Sequence, residues 1–495
     1  MAILGYLILT IYVIALILIT LYCLLQFHLL YHYKRSHRLH QDEQPAKQER
    51  TDADWPLVTV QLPIYNEQYV IERLINSIAA LDYPKDKLQI HILDDSTDET
   101  VPIVDKAVAH YQSQGFDMQA IRREKRSGFK AGALKDAMPL AKGAFIAIFD
   151  ADFVPRPGFL KATIPHFDNP KVGVVQTRWE HLNRDYSLIT QLQAIQLNVH
   201  FRVEQQGRRG GQYLLQFNGT AGVWRSTTIE DAGGWEADTL TEDLDLSIRA
   251  QLKGWEITYL ESFGSPAELP AEMNGLKSQQ FRWMKGGAET ARKMLPAIWR
   301  SNLRLGQKLH ATGHLLSSSV FVFVFSAGVF SVPLVFLLGP LGINTKIFAT
   351  FLAGLLATIA VYYVANVEAE STKQTRLRTL VKFVVLFPLF LALSMGLSFH
   401  NSVAVIQGYL GKKTAFVRTP KFNIQTIRDS LKNKQYISGK LTFTTVLEGL
   451  LALYFLGGVI GGITAHNSSF LIFHAMLALG YGAIFIFTLR HLGLK

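Results

Sequence analysis

The first thirty residues contain one long run without a charged side chain. Residues 3–30 include no Asp, Glu, Lys or Arg. At a rise of about 1.5 Å per residue, this run exceeds the roughly 20 residues that a helix needs to cross a bilayer. No basic segment precedes it and no small-residue cleavage site ends it, so it predicts a retained transmembrane helix rather than a signal peptide. Four later apolar runs look similar in length and hydrophobicity, at 314–338, 347–367, 443–464 and 468–489.

The region between the first two runs is polar enough to fold in water. It spans residues 32–311, and about 280 residues suffice for a core of their own. We therefore predict an N-terminal transmembrane helix at 1–31, a soluble domain at 32–311 and a C-terminal membrane region at 312–495. Cys23 is the single cysteine of the chain, which excludes a disulfide framework and a multi-cysteine metal site.

One further apolar stretch, at 381–410, is interrupted by residues that disfavour a lipid-facing helix, namely Pro388, Gly396, His400 and Asn401. Both of its flanks are rich in Lys and Arg, and the positive-inside rule places such flanks on the cytoplasmic face. We therefore predict a re-entrant or interfacial helix at 381–410, a loop at 411–440, two final helices and five full crossings. This topology predicts an integral protein of the cytoplasmic (inner) membrane, with residues 32–311 in the cytoplasm.

The positive charge of the chain follows the predicted membrane segments. Lys and Arg number 50 against 39 Asp and Glu, a formal net charge of +11. Many of these cations lie just after the first helix and at 412–440. We therefore expect contact with anionic membrane lipids and no nucleic acid partner.

The soluble domain alternates short apolar runs with amphipathic helical stretches. The runs lie at 57–65, 88–95, 118–123, 144–152 and 172–177. This βαβ alternation predicts an α/β fold with a mainly parallel sheet, whose ligands bind beyond the carboxyl ends of the strands.

Acidic and polar groups follow three of the predicted strands: Tyr65-Asn66-Glu67, Asp94-Asp95-Ser96 and Asp150-Ala151-Asp152. Two carboxylates at i and i+2 on a strand end point to the same side and suit a divalent cation. The simpler interpretation is that acids at strand ends start turns. Three such strand ends in one sheet make this turn interpretation less favoured. Neither of the usual phosphate-binding motifs, G-x-G-x-x-G and G-x-x-x-x-G-K-[ST], is present.

Three further segments suggest phosphate, proton and sugar contacts. Residues 126–134 open a helix with a glycine-rich, basic turn, which suits a phosphate or is an ordinary exposed helix start. Thr241-Glu242-Asp243 begins another helix, where Asp243 is a candidate general base or a carboxylate that simply favours the helix dipole. Residues 279–283 (QQFRW) offer an indole for a sugar and a guanidinium for a phosphate, or an aromatic and arginine pair at the membrane interface.

In this order, the four motifs DDS (94–96), DAD (150–152), TED (241–243) and QQFRW (279–283) resemble the processive family 2 glycosyltransferases of the cellulose, hyaluronan and chitin synthase type. The strings QLPIYNE, LDDSTDET, KAGALK, AIFDADF and FNGTAGVWR look closest to the cellulose synthase-like A and C branch, the mannan and β-glucan synthases. Residues 416–421 (FVRTPK) resemble the FxVTxK gating loop of that family, with Arg418 in place of valine. The resemblance implies a GT-A (Rossmann-like) catalytic domain at 32–311 followed by an α-helical transmembrane region.

The resemblance also implies a role for each matched residue. The nucleotide-sugar donor would contact Tyr65, Glu67, Asp94, Asp95, Lys130, Asp150, Asp152 and Arg282. Asp150 and Asp152 would also hold Mg²⁺ or Mn²⁺, and Asp243 would be the catalytic base with Glu242 beside it. The acceptor would contact Trp283, Gln279, Phe217, Asn218 and Gly219. The gating loop would act through Phe416, Arg418, Thr419 and Lys421.

These roles predict a membrane-integrated inverting hexosyltransferase. It would transfer a hexose from UDP-glucose or GDP-mannose to a growing β-linked polysaccharide and extrude the product, with an accessory export subunit as a candidate partner. The first alternative keeps the chemistry but uses a lipid acceptor, of the ceramide or diacylglycerol type, and makes a β-linked glycolipid. A second alternative is a non-catalytic membrane scaffold or transporter, for which the acidic motifs would have no chemical role.

Overall fold

The computed structural model describes residues 2–39, 50–414, 417–431, 434, 436 and 441–492. Seven strands form one sheet, and helices cover its two faces and extend into an apolar bundle. The strands are β1 (Val58–Ile64), β2 (Leu88–Asp94), β3 (Asp117–Ile121), β4 (Phe145–Ile148), β5 (Val172–His181), β6 (Gly222–Arg225) and β7 (Glu256–Ala267). The helices are α1 (Ala2–Leu39), α2 (Ile71–Ala79), α3 (Thr100–Ser113), α4 (Phe129–Ala137), α5 (Phe159–Thr163), α6 (Leu188–Asn198), α7 (Gln205–Gly211), α8 (Ser226–Asp231), α9 (Glu242–Leu252), α10 (Met273–Arg300), α11 (Leu305–Leu315), α12 (Val320–Leu337), α13 (Leu352–Tyr363), α14 (Arg376–Gly396), α15 (Ser398–Tyr409), α16 (Phe443–Thr464) and α17 (Leu471–Leu492).

The sheet is mainly parallel, as the βαβ alternation predicts. Its strand order is β3-β2-β1-β4-β6-β5-β7, and β6 alone runs antiparallel to its neighbours β4 and β5. All five predicted strands are present. The two that the apolar runs did not indicate are β6, which has four residues, and β7, in which buried positions largely alternate with less buried ones and polar residues interrupt the apolar ones. The carboxyl ends of β1, β2 and β4 therefore meet at one edge of the sheet.

Both faces of the sheet are buried, which explains its continuous apolar runs. On β4, Phe145 and Ala147 pack in the cluster that includes α2, whereas Ile146 and Ile148 pack in the cluster that includes α4. This alternation follows from the two-residue period of a strand. The two cores hold the loops after β1, β2 and β4 at fixed positions.

Within the described part of the chain, six helical segments are long and apolar enough to cross a membrane, by length and composition. They are Ala2–Arg38, Ser317–Leu337, Thr345–Glu368, Arg376–Gly396, Phe443–Thr464 and Ser468–Leu492. These helices mark the chain as an integral membrane protein. A buried ion pair joins the two parts, because Lys277 on α10 lies 2.7 Å from Glu448 on α16.

The segment predicted to be re-entrant, 381–410, forms two helices, α14 and α15. Near its start, Lys382 donates a hydrogen bond to Asp185 of the sheet domain at 2.8 Å. Just after its end, the carbonyl oxygen of Lys412 accepts a hydrogen bond from Nζ of Lys285 on α10 at 2.5 Å. Both ends thus contact the same domain, which favours a hairpin that enters and returns, while the length of α14 by itself would allow a crossing. The number of crossings stays a prediction.

Candidate active site

Tyr65 and Glu67 follow β1 and form one wall of a large cavity at the carboxyl edge of the sheet. Between them Asn66 has φ 56°, and its side-chain oxygen accepts a hydrogen bond from the backbone N–H of Thr97 at 2.8 Å. This left-handed turn ties the end of β1 to the loop after β2. The guanidinium of Arg126 lies 3.4 Å from the centre of the Tyr65 ring.

Glu67 is paired with the predicted gating loop. Its carboxylate lies 3.0 Å from Nη1 of Arg418, and that guanidinium also donates to the carbonyl oxygen of Tyr65 at 3.2 Å. Burial raises the pKa of Glu67 to about 8, although the charge of Arg418 acts in the opposite direction. The arginine that replaces the valine of the family pattern therefore lies in the cavity wall.

The two aspartates after β2 have different surroundings. Asp95 lines the cavity, where Arg123 Nη2 is 2.5 Å and Arg126 Nε is 3.8 Å from its carboxylate. Asp94 is buried beside the cavity rather than in its lining, and it accepts a hydrogen bond from Nε of Arg122 at 3.0 Å. The structure thus brings Asp95 to the predicted donor site and gives Asp94 a position behind it.

Asp150 and Asp152 follow β4 and both line the cavity. Lys130 Nζ lies 2.5 Å from Oδ1 of Asp150, and Lys421 Nζ lies 2.6 Å from Oδ2 of Asp152. Burial raises the pKa of the Asp150 carboxyl, against the charge of Lys130. Carboxylate oxygens are the ligands that Mg²⁺ and Mn²⁺ prefer, so this pair fits a divalent cation. A bound cation would replace the positive charge that Lys130 and Lys421 place beside the two carboxylates.

The basic turn at 126–134 lies at the start of α4. Gly128 has φ 70° and precedes α4. From the first turn of that helix, Lys130 reaches both Asp150 and the carbonyl oxygen of Gly219, at 2.9 Å. This lysine therefore connects the donor side of the cavity to the predicted acceptor segment.

Glu242 and Asp243 lie in the first turn of α9 and line the same cavity. Burial raises the pKa of both carboxyls, and for Asp243 the charge of Glu242 raises it further. Gly219, with φ 79°, packs against Asp243 so closely that a Cβ there would lie 3.1 Å from its Oδ2. A glycine is needed at this position because of both its φ and the close approach.

The QQFRW motif lies on α10 and also faces the cavity, through Gln279, Arg282 and Trp283. Arg282 Nη2 donates to the hydroxyl oxygen of Thr419 at 2.9 Å, and burial lowers the pKa of its guanidinium. This contact attaches the predicted gating loop to the helix that carries the motif.

One predicted acceptor residue, Phe217, lies behind the cavity wall. Phe217 is fully buried in the core, where its ring centre lies 5.4 Å from that of Trp224, and it supports the cavity wall without lining it. Asn218 and Gly219, next in the chain, do line the cavity. Phe416 lies outside the described residues.

The cavity has a volume of about 1020 Å³ and continues from these residues into the membrane bundle. Its far part is lined by apolar side chains that include Phe321, Phe348, Phe390, Met395 and Phe473. Between the two parts lies a polar section that sequence analysis missed, formed in part by His200, Glu204, Gln216 and His314. Their order in the sequence carries no motif, and only the spacing of four between His200 and Glu204 hints at a shared helix face.

A second group of carboxylates lies elsewhere, outside the cavity lining: Glu236, Asp238 and Asp245. Lys293 Nζ occupies its centre, at 2.6, 2.9 and 3.1 Å from the three carboxylates. We interpret this group as an ion-pair network that holds α9 against α10.

Comparison with known proteins supports the resemblance. Residues 56–286 match the protein family described as glycosyltransferase like family 2. A rice (Oryza sativa subsp. japonica) protein named probable glucomannan 4-beta-mannosyltransferase 4 is 41% identical over 287 residues, which cover 57% of this chain and 52% of the relative. Glucomannan 4-beta-mannosyltransferase 9 of Arabidopsis thaliana is 40% identical over 262 residues, covering 52% of this chain and 49% of the relative. The chain therefore spans about half the length of the curated relatives that it matches.

A solved structure shares the fold. The mannosyltransferase PcManGT from Pyrobaculum calidifontis, determined in complex with GDP-Man and Mn²⁺, superposes with a TM-score of 0.55. It is 18% identical in sequence, and the match covers 81% of this chain and all of that chain. The expected fold class, a GT-A domain with an added helical membrane region, is confirmed.

Proposed function

We propose that this chain, whose residues 56–286 form a family 2 glycosyltransferase domain of the cellulose synthase-like type, transfers a hexose from a nucleotide sugar to a growing β-linked polysaccharide. GDP-mannose is the first donor to test, because the curated relatives are named as mannosyltransferases, and UDP-glucose is the second.

One observation carries this proposal: the donor-type and acceptor-type groups line a single cavity. Asp150, Lys130, Asp243 and Trp283 all line it. Lys130 contacts both Asp150 and the carbonyl oxygen of Gly219, a residue of the predicted acceptor segment. A scaffold or transporter would not need these groups to converge.

The arrangement suits a direct displacement. Asp243 would accept the proton of an acceptor hydroxyl, and its raised pKa brings its protonation equilibrium closer to neutral pH, where a general base is most effective. The hydroxyl oxygen would form a bond to C1 of the donor sugar as the C1–O bond to the nucleoside diphosphate breaks. Displacement from the opposite face inverts C1, so an α-linked donor yields a β linkage.

The leaving diphosphate needs positive charge around it. Lys130 and Arg282 would contact the diphosphate. Tyr65, Glu67 and Asp95 would surround the nucleoside. Asp94, which is buried next to Asp95, would support this pocket without lining it. Asp150 and Asp152 would hold Mg²⁺ or Mn²⁺, which supplies charge neutralisation for the diphosphate when bound. Arg418, Thr419 and Lys421 already contact this donor side, which supports a gating role for their segment.

The acceptor glycan would stack on Trp283, because sugar rings present apolar faces that suit an indole. Gln279, Asn218 and Gly219 would contact its terminal unit. The continuation of the cavity into the membrane bundle supports extrusion of the product, either by this chain alone or with an accessory export subunit.

The proposal includes the location and the division of the chain. The helix at 1–31, the catalytic domain at 32–311 and the membrane region at 312–495 would belong to a protein of the cytoplasmic membrane, with the catalytic domain in the cytoplasm. Both ends of 381–410 contact the domain at 32–311, through Lys382 with Asp185 and Lys412 with Lys285, which supports a re-entrant hairpin there. The basic segments beside the helices would contact anionic lipid headgroups.

A lipid acceptor is the second candidate, and the lining of the cavity favours it to some extent. Phe321, Phe390, Met395 and Phe473 would suit an acyl chain as well as a passage for a glycan. The product would then be a single-sugar glycolipid of the ceramide or diacylglycerol type.

The test uses the full chain in membranes with ¹⁴C-labelled GDP-mannose or UDP-glucose and Mg²⁺ or Mn²⁺. We expect label in material that organic solvent does not extract and that an endo-β-mannanase or endo-β-glucanase degrades. Label that is extracted into organic solvent supports the lipid acceptor instead. Absence of transfer from both donors, with either metal, would overturn the proposal.

A further inference from the structure

The helix that follows β5 contains a π-helical turn at Val199–Glu204, between α6 and α7. Such turns are rare and are found often at functional sites, because they widen the helix and redirect its side chains. Here the turn carries His200 and Glu204, and both line the polar section of the cavity. Neither residue belongs to the motifs DDS, DAD, TED or QQFRW.

A chain of hydrogen bonds connects this turn to Asn218. The donors in this chain determine which atom of each pair carries the hydrogen. Nε2 of Gln205 lies 2.6 Å from the carbonyl oxygen of Gln216, so that atom is an N–H donor. It also lies 2.9 Å from Oδ1 of Asn218. The amide nitrogen of Asn218 must therefore be the atom that lies 2.8 Å from Nε2 of His200.

This assignment determines the proton on His200. The amide nitrogen of Asn218 can only donate, so Nε2 of His200 accepts and Nδ1 carries the ring proton. Nδ1 lies 3.0 Å from the carboxylate of Glu204 and donates to it. Glu204 is itself held by Arg208 at 3.2 Å, so the imidazole has one orientation and one tautomer.

Asn218 lies next to the proposed base. It precedes Gly219, whose close approach to Asp243 is described above, and its backbone N–H donates to the side chain of Gln176 at 2.8 Å. The second hydrogen of its amide nitrogen has no acceptor among the described residues. Because Asn218 lines the cavity, this hydrogen is available to a hydroxyl of the acceptor.

We propose that His200, held by Glu204, is a positioning residue that orients the Asn218 amide toward the acceptor hydroxyls beside Asp243. The inference rests on the proposed function and goes beyond the resemblance, which implies a role for Asn218 and none for the π-helical turn. His200 acts through Asn218 and does not exchange a proton with the substrate.

The experiment compares three variants of the full chain in membranes with labelled GDP-mannose, or with UDP-glucose if that is the donor used. His200→Phe removes both hydrogen bonds and keeps a ring of similar size. His200→Gln keeps an acceptor near the position of Nε2. The control is Asn198→Leu. Asn198 lies on the same helix as His200 but does not line the cavity, and the change removes its buried hydrogen bond to Asn366.

The readout is the ratio of sugar transferred to donor hydrolysed, together with the Kd of the nucleoside diphosphate. Hydrolysis is the nucleoside diphosphate released in excess of the sugar transferred. A misplaced acceptor hydroxyl leaves donor hydrolysis unaffected, so we expect His200→Phe to lower the ratio roughly fivefold to tenfold. The Kd should change less than about twofold. His200→Gln should restore at least half of the wild-type ratio, and Asn198→Leu should leave the ratio unchanged.

Three results would overturn the inference. One is an unchanged ratio in His200→Phe, and another is an equal fall in transfer and hydrolysis in that variant, as a merely structural role predicts. The third is a His200→Gln variant as impaired as His200→Phe. A wild-type chain that transfers no sugar would overturn the proposed function itself and is recognised before any variant is compared.

Discussion

Nζ of Lys421 lies 2.6 Å from Oδ2 of Asp152, the second aspartate of the D-x-D motif. The same ammonium group donates to the carbonyl oxygen of Glu268, and Lys421 is buried. A residue of the predicted gating loop therefore supplies positive charge where the proposed divalent cation would bind. Lysine and cation would compete for the same carboxylate.

We expect Lys421→Met to increase the affinity for Mn²⁺ in the absence of donor. Removal of one competing ion pair in a partly buried site should lower the Kd roughly threefold to tenfold. Electron paramagnetic resonance of free Mn²⁺, titrated with the purified chain, measures this Kd. Lys413→Met is the matched control, because Lys413 contacts the carbonyl oxygen of Asp238 outside the cavity lining. An unchanged Kd in Lys421→Met contradicts the competition.

Asp243→Asn should abolish most of the transfer activity. An amide cannot accept the proton of the acceptor hydroxyl, so kcat should fall by about 10²-fold to 10⁴-fold. The Kd of the nucleoside diphosphate, measured by calorimetry, should stay within about twofold of the wild-type value. Asp86→Asn, on an exposed turn, is the control and should behave as the wild type. Near-normal turnover in Asp243→Asn would exclude this residue as the base.

Trp283→Ala should impair transfer more than donor binding. Loss of a stacked indole costs about 1–3 kcal/mol of acceptor binding, or roughly fivefold to 150-fold in transfer at low acceptor concentration. Trp299→Ala, on the same helix but half-exposed and hydrogen-bonded to Thr312, serves as the control. Equal loss of donor affinity and transfer would argue that Trp283 supports the cavity rather than the sugar.

The pH dependence of transfer should show the raised pKa of Asp243. The carboxyl must be ionised to act as a base, so activity falls as the pH drops through its pKa. Burial and the charge of Glu242 both raise this pKa above the ordinary aspartate value, and the acidic limb should therefore lie at a higher pH than that value. Glu242→Gln removes the neighbouring charge and should shift the limb to lower pH. The measurement is kcat/KM against pH, and a limb that does not move in Glu242→Gln contradicts the coupling.

Much of the candidate site could be predicted from sequence because strand ends in a parallel sheet share one edge. Local patterns were enough to identify β1, β2 and β4, and the acidic groups after them had to meet once the strands paired in parallel. The apolar runs likewise predicted the membrane helices, since a bilayer admits only backbones that satisfy their own hydrogen bonds. In these respects the chain alone determined which residues could form the donor side.

Tertiary packing decided which of those residues face the cavity. Asp94 and Asp95 are adjacent in the sequence, yet Arg122 holds one behind the wall and Arg123 holds the other within it. No local pattern distinguishes them, because successive residues of an extended segment point to opposite sides and only the neighbouring elements determine which side is open. The roles of Asp94, Asp95 and the other site residues are predictions, which the variants test.

The polar section around His200 depended entirely on the fold. His200 and Asn218 are 18 residues apart, and the π-helical turn that directs His200 toward Asn218 has no recognisable signature in the sequence. Hydrophobic periodicity and motif order report which segments are buried or chemically active. The direction of a single side chain results from the packing of whole helices against the sheet, so the sequence determined the architecture and the proposed chemistry, while only the tertiary structure brought His200, Asn218 and Asp243 to one cavity.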